Sequence, residues 1–139
     1  PARPAVIEAT AKVVAGKSAI IVANGVAEQE VRLCPDQITT RHAGLSYAMN
    51  TTDAFHTYRI VIQGRDLQVY VDGQLRIDAR GRFTQPAPNG RCGVAFGGAN
   101  SPNTGEALWQ SVKIRNPAVS LLDVVLSIRY SKNGSGGKP

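Results

Sequence analysis

Residues 55–79 read FHTYRIVIQ, GR, DLQVYV, DG, QLRIDA: three segments of alternating apolar and polar residues joined by connections too short for anything but tight reversals. Alternation with period two marks a strand that has one face in a core and the other in water. Tyr58, Ile60 and Ile62, then Leu67, Val69 and Val71, then Leu75, Ile77 and Ala79 share one parity, whereas Arg59, Gln63, Gln68, Arg76 and Asp78 take the other. Asp72-Gly73 stands where a two-residue type I′ turn needs positive φ at both positions, which this pair tolerates. The segment is therefore predicted to be a three-stranded antiparallel meander, and it commits the chain to a β architecture.

The remaining sequence continues in kind. Ile7, Ala9, Ala11 and Val13 alternate with Glu8, Thr10 and Lys12. Residues 18–23 form an apolar run, and Asn24-Gly25 gives a second reversal before a strand at 30–33. Short strands are predicted at 37–40 and 45–49 around a turn containing His42 and Gly44, and at 93–97 and 106–115. No stretch of a dozen residues carries a capped helical stripe, so the pattern points to a sandwich or barrel. With 139 residues the chain can bury one sizeable core. Residues 1–116 are read as the domain, 117–131 (with SLLDVVLSIRY) as a last strand or a short docked segment, and 132–139 as a flexible tail.

Composition excludes more than it selects. No apolar run approaches the roughly 20 residues of a membrane-spanning helix. The formal charge is +6, but the arginines are scattered singly along the strands. With neither an RNA-binding aromatic motif nor a helix-turn-helix pattern present, nucleic acid is not the expected partner. The chain opens at Pro1 with no initiator Met and no basic-then-apolar leader, so its numbering is read as starting after processing or inside a longer precursor. Cys34 and Cys92 could close a disulfide that would contribute about 4 kcal/mol, or be free thiols. Cys92 is in phase with Val94 and Phe96, but Cys34 is out of phase with Val31 and Leu33.

The string FHTYRIVIQGRDLQVYVDGQL, followed by NGRCGVAFGG and GEALWQSVKIR, resembles the second half of a concanavalin A-like lectin/glucanase (LamG-like) jelly roll, over about residues 5–115. The resemblance implies an all-β, two-sheet antiparallel jelly-roll sandwich. It further implies a secreted, periplasmic or cell-surface protein that binds carbohydrate, mediates adhesion, or assembles with another protein chain. The family's glucanases carry E-x-D-x-E on one strand. That motif is absent here, so a non-catalytic role is expected. The chain is read as one or two opening strands shorter than the family, and the segment after Arg115 is expected to fill the sheet edge this leaves open.

Candidate site residues follow from counting reversals. If each connection after Met49 reverses the chain, loops 50–54, 72–73 and 98–105 share one rim, while 64–65 and 80–92 lie at the other end. At the first rim, Asn50 and Asp53 are candidate calcium ligands, and Asn100 and Asn103 are candidate polar contacts to a ligand. At the other end Arg65, Arg80, Arg82 and Arg91 form a basic patch suited to sulfated or uronic-acid glycans. Tyr47, Tyr70 and Trp109 are candidate sugar-stacking rings. Trp109 shares parity with Ser111 and Lys113, opposite Leu108, Val112 and Ile114. It is thus a platform on the wet face, or a core residue if its strand carries a bulge or is covered on both sides. His56 is read as a strand-edge histidine, and Asp72 as a turn former.

Overall fold

The computed structural model describes residues 4–98, 105–115 and 126–128. Chain order is β1 (Ala5–Gly16), β2 (Ser18–Asn24), β3 (Glu28–Cys34), β4 (Gln37–Thr40), β5 (Leu45–Ala48), β6 (His56–Gln63), β7 (Asp66–Val71) and β8 (Gln74–Ala79). A 3-10 turn at Pro88–Gly90 precedes β9 (Cys92–Gly98), β10 (Gly105–Arg115) and β11 (Leu126–Ile128). One sheet has the order β10-β1-β6-β7-β8 and the other β11-β9-β2-β3-β4-β5. Neighbouring strands run antiparallel except β11, which pairs with β9 in parallel. Of the sandwich or barrel that the alternation left open, the chain adopts the two-sheet sandwich that the resemblance implied.

Alternation builds the core as the sequence implies. Ile7, Ala9, Ala11 and Val13 of β1 meet Tyr58, Ile60 and Ile62 of β6 and Leu67, Val69 and Val71 of β7 on one inner face. Ile20 and Val22 of β2, Val31 and Leu33 of β3, Ile38 of β4, and Val94 and Phe96 of β9 supply the other. Each large side chain so buried stabilises the fold by roughly 1.5–3 kcal/mol. The Asp72-Gly73 reversal has φ of 51° and 87°, the positive pair that a type I′ turn requires.

Two bulges overturn the parity read from the sequence. Between β7 and β8, Val69 faces Ile77 but Tyr70 faces Leu75, leaving Arg76 as the extra residue. Leu75 is thereby turned out of the core and is 41% exposed. Between β1 and β10, Thr10 faces Ser111 but Ala11 faces Trp109, so Gln110 is the extra residue. One inserted residue inverts the facing of all that follows, which is why Trp109 points inward.

Tyr58 is fully buried, and its hydroxyl has no hydrogen-bond partner among the described residues. An unsatisfied buried hydroxyl destabilises a fold, whereas the ring is needed for packing. Tyr58→Phe is therefore expected to raise unfolding stability by roughly 1 kcal/mol in a urea titration. A loss of stability would show that the hydroxyl is satisfied in solution.

Candidate functional site

At the β6 end of the sandwich, the loop between β5 and β6 is tied to both sheets through Thr51. Its hydroxyl donates to the Cys34 carbonyl at 2.6 Å, its N–H to the Pro35 carbonyl at 3.1 Å, and its own carbonyl accepts the Val13 N–H at 3.0 Å. Asn50 beside it closes a local turn, its Oδ1 accepting the N–H and hydroxyl of Thr52, both at 2.8 Å. The edge strands β5 and β8 close the same side, and between them the sandwich opens into a cleft of about 350 Å³. Tyr47, Asn50, Asp53, His56, Asp72, Gln74 and Arg76 supply its polar and aromatic walls, above Met49 and Val71.

Side-chain geometry in the cleft is tightly specified. His56 Nδ1 lies 2.7 Å from Asp72 Oδ2, and Nε2 lies 2.8 Å from Asp53 Oδ1. Asp72 is held in turn by the Thr57 N–H, which donates to its Oδ1 at 2.9 Å. Arg76 lies over the Tyr47 ring, 4.9 Å from its centroid, and donates to Gln74 Oε1. The hydrogen bond from His56 holds the Asp53 carboxyl below the usual carboxylate range. Partial burial would raise Asp72, but His56 and the Thr57 N–H outweigh it and hold it low. Burial would likewise lower His56, yet the hydrogen bonds to Asp72 and Asp53 prevail and raise it.

Of the residues singled out in the sequence, Tyr47, Asn50 and Asp53 come together here. Loops 50–54 and 72–73 share this end, as do Gly98 and Gly105, which flank the third loop. Asn100 and Asn103 lie outside the described residues. Tyr70 is on the outer face of its sheet, under Arg59 at 5.6 Å, and takes no part. Trp109 is not a platform, because the bulge turns it inward against Phe96, with ring centroids 5.0 Å apart. Asn50 and Asp53 do not converge as calcium ligands, since their oxygens already serve Thr52 and His56. Among the described residues no group of three or more His, Cys, Asp and Glu side chains is placed to hold a metal.

Two of the four arginines of the basic patch face carboxylates. Arg80 forks onto Asp78 at 2.8 Å, Arg91 lies 3.6 Å from Glu28, and Arg82 reaches the Ala43 carbonyl at 3.4 Å. Arg65 is exposed, and its carbonyl accepts the Phe83 N–H. Nor are the cysteines bridged. Leu33, next to Cys34, pairs with Ser18 at the start of β2, and Cys92 pairs with Asn24 at its end. The thiols are thus separated by about 20 Å of strand, far beyond the 7 Å Cα limit for a disulfide.

A second polar cluster lies on the outer face of the six-stranded sheet. Glu30 is 2% exposed, with Arg32 Nε donating to it at 2.7 Å and Arg41 at 3.2 Å. Burial alone would raise Glu30, but the two guanidiniums hold it below the carboxylate range. Its buried carboxylate is held by both guanidiniums, which suits a structural network better than a docking surface. Sequence reading missed this cluster and also missed His56, Gln74 and Arg76 as cleft residues. For His56 a signal existed: it shares the inward parity of Tyr58 and Ile60.

No family model matches the sequence, and no curated protein matches it significantly. Solved structures do. The alginate lyase AlgAT5 of polysaccharide lyase family 7 aligns at 14% identity and a TM-score of 0.52, covering 81% of this chain and 58% of that one. The alginate lyase from Corynebacterium sp. aligns at 11% identity and 0.52, with the same two coverages. The carbohydrate-binding module CBM66 from Bacillus subtilis aligns at 12% identity and 0.50, covering 81% and 72%. The fold is a concanavalin A-like jelly roll. This jelly roll spans little more than half the length of the two lyases, and at such identities the likeness is one of fold.

Proposed function

We propose that this jelly roll is a non-catalytic carbohydrate-binding module, acting in a secreted, periplasmic or cell-surface setting, and that it holds its ligand in the cleft between β5 and β8. The observation that carries the reading is the combination of an aromatic ring, an amide, a guanidinium and two carboxylates around one small concavity. Sugars present hydroxyls that both donate and accept, and such a wall answers both. Arg76 and a protonated His56 balance Asp53 and Asp72, which favours a neutral polyhydroxylated ligand over a uronic or sulfated one. The likeness in fold to a carbohydrate-binding module and to two alginate lyases supports carbohydrate as the ligand class.

A non-catalytic role agrees with the state of the carboxylates. A glycosidase acid needs a raised pKa, and Asp53, Asp72 and Glu30 are all held low by their partners. The test is a glycan array on the purified protein, with calcium and with chelator. Tyr47→Ala and Arg76→Ala are each expected to weaken binding by about ten-fold or more, with Tyr70→Ala as an unaffected control. A folded protein that binds no glycan, or one that turns a polysaccharide over, would overturn the reading.

Assembly with another protein chain is a second reading, favoured by β10, an edge strand of 11 residues that carries an exposed Leu108. Such an edge is a template for strand addition, although Lys113, Arg115 and the Gln110 bulge blunt it. Light scattering on the full chain separates the two readings.

A further inference from the structure

His56 is the one histidine of the cleft, and both its ring nitrogens face carboxylate oxygens that belong to different segments. Asp53 comes from the loop ahead of β6, and Asp72 from the turn between β7 and β8. A carboxylate only accepts hydrogen bonds, and a neutral imidazole donates through one nitrogen alone. Two bridges of 2.7 and 2.8 Å therefore require the imidazolium. Deprotonation breaks one bridge and leaves two carboxylates against the single charge of Arg76.

We propose that His56 is a proton-controlled clamp that sets both the shape and the charge of the cleft, closed when the ring is protonated and released when it is not. The proposal rests on the binding reading above and specifies its regulation. The groups that face His56 are Asp53 from the loop, Asp72 from the turn, Arg76 and Gln74 from β8, Tyr47 from β5 and, on its own strand, Tyr58, whose ring centroid lies 6.3 Å away. Tyr58 stays protonated throughout, because burial pushes its hydroxyl well above its ordinary value. Asp53 and Asp72 stay charged until the medium is more acidic than for a free carboxylate.

The sign follows from these directions. His56 is raised above the ordinary 6.5, so its contribution is complete below that value and is lost as pH rises through the folded-state value. At the acid end the contribution disappears as the lowered carboxylates take up protons. The clamp is therefore closed across the weakly acidic range and opens on the alkaline side.

The experiment has two arms on the same protein. In the free protein, the ring nitrogens of His56 are followed by NMR together with exchange of the Thr57 amide, whose acceptor is Asp72. The ring is expected to titrate above the ordinary histidine value, with Thr57 protection falling in step by about five-fold or more. In the second arm, affinity for the best array glycan is measured from about pH 6 to about pH 9, where wild type is expected to weaken at least about five-fold and His56→Gln to stay flat. A ring that titrates at or below the ordinary value overturns the clamp. Glycan affinity that is flat with pH in wild type overturns the regulation but leaves the binding reading standing. A ring that titrates high in a protein that binds no glycan removes the binding reading, and the regulatory role with it.

Discussion

Gly105→Ala is expected to lower stability by about 3 kcal/mol or more, a fall of roughly 10 °C in melting temperature for a domain of this size. Gly105 opens β10 and lies opposite Gly16 at the last turn of β1, where the two sheets come closest to one another in sequence through Lys17. A Cβ at Gly105 would lie 2.2 Å from the Lys17 carbonyl oxygen and 2.6 Å from both the Lys17 carbonyl carbon and nitrogen. All three atoms belong to the backbone, so no rotamer change relieves the overlap, and either β10 or the β1–β2 corner has to move. Gly64→Ala makes the useful comparison. Nothing lies within 4 Å of its added Cβ, but its φ is +61°, so the cost is conformational and about 1 kcal/mol. Thermal denaturation of the two variants side by side checks the argument, and equal losses would refute the clash.

Arg32→Ala is expected to destabilise the protein by about 2–3 kcal/mol at neutral pH. The substitution leaves Glu30, 2% exposed, without its shorter ion pair. The loss falls short of the largest known for broken buried pairs because Arg41 remains at 3.2 Å, and because Arg32, itself 20% exposed, shares its charge with solvent. Glu30 in the folded protein sits below its ordinary 4.5, so its contribution is complete above that value and is lost as pH falls through the folded-state value. The difference between wild type and variant should therefore shrink towards acid pH. Adding Glu30→Gln to Arg32→Ala should recover part of the loss, since the buried carboxylate charge is removed and the Arg41 guanidinium left behind is half exposed to solvent. A variant gap that does not change with pH would locate its cause elsewhere.

The buried face was legible in the sequence because period-two alternation is the direct imprint of a one-sided core. The parity of β1, β6 and β7 holds residue for residue. The phases of Cys34 and Cys92 left a bridge and free thiols both open, and the distance along β2 decides for free thiols. Of the bulges, the one in β10 was hinted at only by Trp109 standing out of phase with its apolar neighbours, and the one in β8 left no mark. Neither Gln110 nor Arg76 is a glycine or flanked by a turn signal, so the residue that breaks the register is known only once two strands are paired. The site inherits that limit. Asn50 and Asp53 were readable from loop placement and Tyr47 from its ring chemistry, whereas Arg76 enters the cleft through its bulge. The pairing of Glu30 with Arg41 depends on the fold of the turn after β4, which alternation does not encode.

The position of β1 carries a consequence for how the molecule comes into being. This first strand sits between β6 and β10, so neither hydrogen-bonding edge has a partner until much later segments have been synthesised. The β6–β7–β8 meander closes through local reversals and can form early, on the roughly 1–10 μs scale of hairpins. Ile7, Ala9, Ala11 and Val13 must meanwhile wait with their apolar face uncovered, and closing so long a loop is slow in all-β topologies. Nascent chains that pause before β10 emerges thus present an unpaired, half-apolar strand of 12 residues, the species most exposed to capture by chaperones or by another copy of itself.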